Sequence, residues 1–206
     1  MIFVSMFLLF ILTIKIKEVK LMIEVELRTF INKDKYEELL KFYSGKNIEI
    51  KKEKQITTYF KGDKDFRLMV TPDYCQLWLK DGEIHDDARE EVVVKLEKSY
   101  KESLVTMLHK LGYEEEIKWY RVRNSFTDNN IYITIDYTHG YGYILEMEKQ
   151  VEKEEDIESA KTKLQKVFEN LNIELTEKKE FKEKYEDYKI NWNEYTQNID
   201  EEQFVS

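Results

Sequence analysis

From Ile23 onward the chain alternates apolar and polar residues in short runs, and the period of the alternation names most of its elements. In Ile23 to Arg28 a period of two places Ile23, Val25 and Leu27 on one face of a strand and Glu24, Glu26 and Arg28 on the other. Tyr143 to Glu148 repeats the pattern, with Glu146 and Glu148 opposite Tyr143, Leu145 and Met147, and Arg121 and Arg123 alternate in the same way. A half-buried strand ordinarily turns its charged face to water. Here charged faces recur on several strands, acidic on some and basic on others, which predicts a barrel with a charged interior. Such an interior is costly unless cations and a polyanion balance it.

The remaining elements follow from spacing and punctuation. Tyr36, Leu39, Leu40 and Tyr43 recur at helical spacing within 32–43, and Gly45 suits a left-handed cap behind them. Tyr100, Leu104, Leu108 and Leu111 do the same within 99–111, followed by Gly112, directly behind a strand predicted over 89–96. Residues 65–71 and 75–80 read as a hairpin around Pro72-Asp73, with Gln76, Trp78 and Lys80 sharing one face. Residues 131–138 alternate Ile131, Ile133 and Ile135 with Tyr132, Thr134 and Asp136, and Gly140 and Gly142 then break the chain before the Glu146 strand. An amphipathic helix is predicted over 156–171 and a last one over 178–192, whose aromatic stripe of Phe181, Tyr185, Tyr188 and Trp192 reads as packing. Residues 193–206 are polar and aperiodic and read as a fraying tail.

Composition narrows the function classes. A chain of 206 residues with 42% hydrophobic and 14% aromatic content can bury one sizeable core, and no Pro/Gly/Ser-rich linker divides it. One cysteine, Cys75, excludes an internal disulfide framework and a multi-cysteine zinc site, and points to a reducing, cytoplasmic setting. A net charge of -9 argues against duplex nucleic acid as a partner. His85, His109 and His139 show no metal-ligand spacing. The run Ile2 to Ile14 is almost wholly apolar but shorter than the ~20 residues that span a bilayer. Residues 1–21 therefore stand as an apolar leader open to three readings: an over-extended start with initiation at Met22, a membrane-associating segment, or an extra element of the fold. Membrane association is expected only if that leader is real.

Read in order, Glu24-x-Glu26-x-Arg28, Arg67 in Phe66-Arg67-Leu68, Lys80 in Leu77-Trp78-Leu79-Lys80, and Arg89-Glu90-Glu91 resemble the signature of the CYTH superfamily, the triphosphate tunnel metalloenzymes. So do Arg121-x-Arg123 and the block that runs from Asp136 through Gly140-Tyr141-Gly142 to Glu146-x-Glu148. The resemblance spans about 22–192. That family includes class IV adenylate cyclases and thiamine, inorganic and RNA triphosphatases. The resemblance implies an α+β fold: a closed antiparallel β-barrel of about eight strands forming a charged tunnel, with flanking helices. It implies that Glu24, Glu26, Asp136, Glu146 and Glu148 bind Mg²⁺ or Mn²⁺. It also implies that Arg28, Arg67, Lys80, Arg89, Arg121 and Arg123 grip a triphosphate, with Lys184 reaching in from the C-terminal segment and Glu91 orienting basic neighbours or a water. The physics agrees, because hard cations take carboxylate oxygens and Arg makes paired hydrogen bonds to phosphate.

Two departures from the family pattern bear on mechanism. Arg28 stands where Lys is common, and an arginine does not readily give up its proton, so Glu24, Glu26, Arg28 and Glu91 are expected to act through a metal-activated water. Met69 and Val93 stand where further charges are usual, which predicts a smaller phosphate grip. The expectation is a metal-dependent phosphohydrolase for a small triphosphate. Adenylate cyclase is the alternative, a non-catalytic polyphosphate or nucleotide binder the third reading, and a homodimer is allowed.

Overall fold

The computed structural model describes residues 23–81 and 88–206. The apolar leader of 1–21 lies outside them, as does His85. Among the described residues no helix is long and apolar enough to cross a membrane.

Among the described residues, eight antiparallel strands form the sheet: β1 (Ile23–Ile31), β2 (Lys51–Phe60), β3 (Asp65–Val70), β4 (Tyr74–Asp81), β5 (Ala88–Glu97), β6 (Glu115–Asp128), β7 (Ile131–Thr138) and β8 (Gly142–Val151). Five helices flank it: α1 (Lys33–Gly45), α2 (Lys101–Lys110), α3 (Ile157–Asn170), α4 (Lys178–Thr196) and α5 (Glu201–Phe204). The strand order is β1-β5-β4-β3-β2-β6-β7-β8. β1 is paired on both sides, over nine residue pairs with β8 and, among the described residues, through Glu24↔Arg89 and Val25↔Ala88 with β5.

The strands are amphipathic in the sense opposite to that of a surface sheet. Their apolar side chains point outward beneath the helices, and their charged ones point inward. Val25, Leu27, Ile133, Ile135, Leu145 and Met147 pack with Leu39 and Tyr43 of α1 and Ala160, Leu164 and Phe168 of α3. Ile56, Leu68, Val70 and Cys75 pack with Leu104 and Leu108 of α2 and with Val205. Each apolar side chain buried this way contributes roughly 1.5–3 kcal/mol, so the helices stabilise the sheet from outside and leave the inner face for polar groups.

The fourth helix has a different position. Its Tyr185 and Tyr188 pack against Tyr59, Ile117, Trp119, Tyr141 and Ile144, several of which belong to the inner face, so the aromatic stripe stops one end of the interior. Phe181 stacks on Phe30 with ring centroids 4.3 Å apart.

Two expectations are corrected. The left-handed residue behind α1 is Asn47 (φ 57°) rather than Gly45, which closes the helix as its last residue. The C-terminal residues do not fray. Helix α4 continues to Thr196, Asp200 caps α5 by accepting from the Gln203 amide, and Val205 is 3% exposed beneath Lys98, whose Nζ donates to the Val205 carbonyl at 2.6 Å. Glu201 accepts from Lys118 and from the Tyr120 hydroxyl, both at 2.9 Å. The tail reads as polar in sequence because Ile199, Phe204 and Val205, which carry its apolar anchor, are spread among acidic and polar residues.

Candidate active site

The inner faces of the strands surround a cavity of about 330 Å³, within the range of small-ligand sites. Strand β1 contributes Glu24, Glu26 and Arg28 to it, and β8 contributes Glu146 and Glu148. Arg67, Lys80, Glu91, Arg121 and Arg123 come from four further strands, so the alternation read from the sequence does send these side chains to one place.

The carboxylates separate into two groups. Glu26 and Glu148 face each other across β1 and β8, and Glu24, Glu26 and Glu148 offer oxygens all within 4.8 Å of one another, close enough to hold one metal ion. Burial first, and then the charges of Glu24, Glu26 and Glu146, push the Glu148 carboxyl well above its usual range. Glu24 is also raised, by burial above all, although Lys80 opposes the shift. With Glu26 beside them, the raised Glu24 and Glu148 carboxyls form a cluster whose crowding a cation could relieve.

Glu146 behaves otherwise, because arginines already hold it, whereas burial raises the Asp136 carboxyl although Arg123 and Arg121 oppose the shift. Arg123 Nη2 lies 2.9 Å from Glu146 and 2.7 Å from Asp136, and Arg121 approaches Asp136 at 3.5 Å. Thr134 adds a hydroxyl donor to Glu146 at 3.2 Å. Burial raises the Glu146 carboxyl, but Arg123, Arg121 and Arg28 outweigh it and hold the group down at about 2. Asp136 is 1% exposed and does not line the cavity; its Oδ2 accepts from Arg123 Nε at 2.9 Å. One of its oxygens, Oδ1, has no partner among the described residues.

The basic groups line the opposite walls. Lys80 bridges Glu91 at 2.9 Å and Glu24 at 3.3 Å; burial draws its ammonium down, but those acids leave it raised overall. Arg28 lies 3.3 Å from Glu26 and over the ring of Phe181. Arg67 is paired through two nitrogens with Asp65 and stacked over Tyr59. The Arg89 backbone sits in the β1–β5 seam beside Glu24, and its side chain is outside the described set. Lys184 does not line the cavity: its Nζ sits 4.3 Å above the Phe30 ring, and burial lowers its ammonium.

Several lining residues were not foreseen. Away from α4 the cavity ends in Glu53, Gln55, Tyr74 and Tyr132, where Glu53 accepts from Lys51 at 2.6 Å, Gln55 at 2.8 Å and Tyr74 at 3.1 Å. Toward α4 it ends in Tyr59, Trp119, Tyr141, Phe181 and Tyr185. Glu53-x-Gln55 has the same two-residue alternation as Glu24-x-Glu26. It was hidden by the lysines around it, which give the stretch the look of a solvated strand.

No family model matches the chain. A protein from Methanocaldococcus jannaschii named "Putative adenylate cyclase" is 31% identical over 165 residues, covering 74% of this chain and 91% of that protein. The chain belongs to the CYTH superfamily. Solved structures agree on the fold. The PH1819 protein of Pyrococcus horikoshii superposes with a TM-score of 0.63 at 24% identity, over 75% of this chain and 93% of that one. HpAC1 from Hippeastrum, an adenylyl cyclase homologue described as having a dominant triphosphatase activity, superposes at 0.53 with 15% identity, over 74% and 88% of the two chains. In this CYTH chain the acidic trio and the basic side chains line a single cavity.

Proposed function

We propose that this CYTH protein is a metal-dependent phosphohydrolase that takes a small triphosphate into the cavity. The carrying observation is the meeting of Glu24, Glu26 and Glu148 with Arg28, Arg67, Lys80, Arg121 and Arg123 around one cavity. We read the eight-stranded sheet as a barrel closed by the β1–β5 seam, with this cavity as its lumen. The acidic trio suits Mg²⁺ or Mn²⁺, since all its donors are carboxylate oxygens. When bound, such an ion neutralises phosphate oxygens and lowers the pKa of a water it carries.

The chain's own residues supply the rest. Arg28, Arg67, Arg121 and Arg123 stay charged when partly buried and offer paired donors to phosphate oxygens, which stabilises charge that develops as a P–O bond breaks. Asp136 and Glu146 fix the Arg123 guanidinium in place, and Asp65 does the same for Arg67. Lys80 sits where it can exchange Glu24 and Glu91 for a phosphate oxygen. Arg28 is not a general base, and Lys80 already engages Glu91, so a carboxylate of the acidic trio would accept the proton given up by the attacking water. The buried, unpaired Cys75 fits a cytoplasmic protein.

Adenylate cyclase is the second reading, favoured by the name of the Methanocaldococcus relative and by the Glu53, Gln55, Tyr74 and Tyr132 end, which could receive a base. The activity described for HpAC1 supports hydrolysis instead. Incubation with ATP and Mg²⁺ or Mn²⁺, followed by anion-exchange separation of products, distinguishes them. Orthophosphate release supports the hydrolase. Cyclic nucleotide with pyrophosphate establishes the cyclase, and tight binding without products would leave a sensor.

A further inference from the structure

Tyr141 stands between two glycines whose backbone angles, φ +75° at Gly140 and +115° at Gly142, are open mainly to glycine. A Cβ at Gly140 would fall 2.4 Å from Tyr195 Cβ, so this turn lies flush against α4. The Tyr141 amide donates to the Thr138 carbonyl at 3.1 Å, which tightens the turn between β7 and β8. The result is a tyrosine ring driven into the interior from a loop. That ring is 2% exposed, lies 4.5 Å from Trp119, meets Phe30 and Tyr188 edge-on, and lines the cavity.

The charged groups that act on its hydroxyl are Arg28, Arg121 and Glu146, with Tyr59 beside them. Among the described residues no hydrogen bond engages that hydroxyl. Burial, the largest influence, pushes its pKa up, so it stays protonated and can donate. A neutral donor between two arginines gives an anion one more hydrogen bond without adding a charge that must be desolvated.

We propose that the Tyr141 hydroxyl is a substrate-binding group, donating to a phosphate oxygen held by Arg28 and Arg121 at the α4 end of the cavity. This rests on the triphosphate reading given above and assigns one end of the site: a phosphate, rather than an organic substituent, lies against α4. An organic substituent then extends toward Glu53, Tyr74 and Tyr132.

The test uses the full chain and inorganic tripolyphosphate as probe, with calorimetric titration in Mg²⁺, a separate Mg²⁺ titration without phosphate, and thermal unfolding. Tyr141→Phe keeps the ring and its packing and removes only the hydroxyl. The expected result is an affinity for tripolyphosphate about ten- to a hundredfold weaker, the value of a hydrogen bond to a charged group, with Mg²⁺ affinity and melting temperature unchanged. Tyr143→Phe, outside the cavity against Tyr36, should bind as the wild type does. Equal binding by Tyr141→Phe and wild type overturns the assignment of Tyr141 alone. Parallel loss of Mg²⁺ and tripolyphosphate binding also overturns it, in favour of a structural role. Failure of the wild type to bind tripolyphosphate sinks the triphosphate reading and this inference with it.

Discussion

Glu26 and Glu148 face each other across paired strands with both carboxylates in the cavity, and Glu24 completes a trio whose oxygens lie within 4.8 Å. Like charges directly opposite on a sheet are destabilising unless something neutralises them. A divalent cation should therefore stabilise this protein, and Glu148→Gln should remove that effect. The expected outcome is a melting temperature that rises with added Mg²⁺ in the wild type and stays flat in the variant. A variant that keeps the full rise would show that the ion binds elsewhere.

The same trio sets a pH dependence in the metal-free protein. Burial and neighbouring acids raise Glu148 above its ordinary carboxylate value, so the folded state holds this proton more tightly than the unfolded state does. Stability then falls as pH rises from the unfolded value through the raised folded one, and is constant beyond it. Glu148→Gln has no such loss. Urea midpoints measured in chelator should diverge in favour of the variant as pH rises from acid to neutral, and Mg²⁺ should close the gap.

Arg123 holds two buried carboxylates, Asp136 and Glu146, so its removal is a stability defect as much as a binding defect. Breaking a buried pair by deleting one partner costs about 3–5 kcal/mol. Arg123→Ala should lose about that much in chemical denaturation. Adding Glu146→Gln should recover part of it, because one orphaned charge is then gone.

The C-terminal residues give a prediction opposite to their composition. Deleting residues 198–206 removes buried Val205 and the Glu201 contacts to Lys118 and Tyr120. Burial of the valine alone is worth about 2 kcal/mol. The shortened chain should unfold at lower denaturant with its cavity residues unchanged.

The strands and the charged inner face were legible because a period of two is a local property, and Glu24, Glu26 and Arg28 alternate without interruption. The division of labour among the acids was not. Asp136, Glu146 and Glu148 look equivalent along the chain, and only cross-strand register reveals that Arg123 opposes Asp136 while Glu26 opposes Glu148. The packing role of the α4 aromatics was legible from their helical spacing, but its location at one end of the interior was not, since it depends on how the chain returns to the sheet. Tyr141 was visible only as the residue between two glycines. Its inward aim comes from their positive φ angles, which no periodicity encodes.

Metal-dependent cleavage at the acidic trio is measured by the initial rate of orthophosphate release from tripolyphosphate by the full chain. Release is expected with Mg²⁺ or Mn²⁺, none in excess chelator, and none from Glu26→Gln at any cation concentration. Undiminished release in chelator, or from Glu26→Gln, would contradict it.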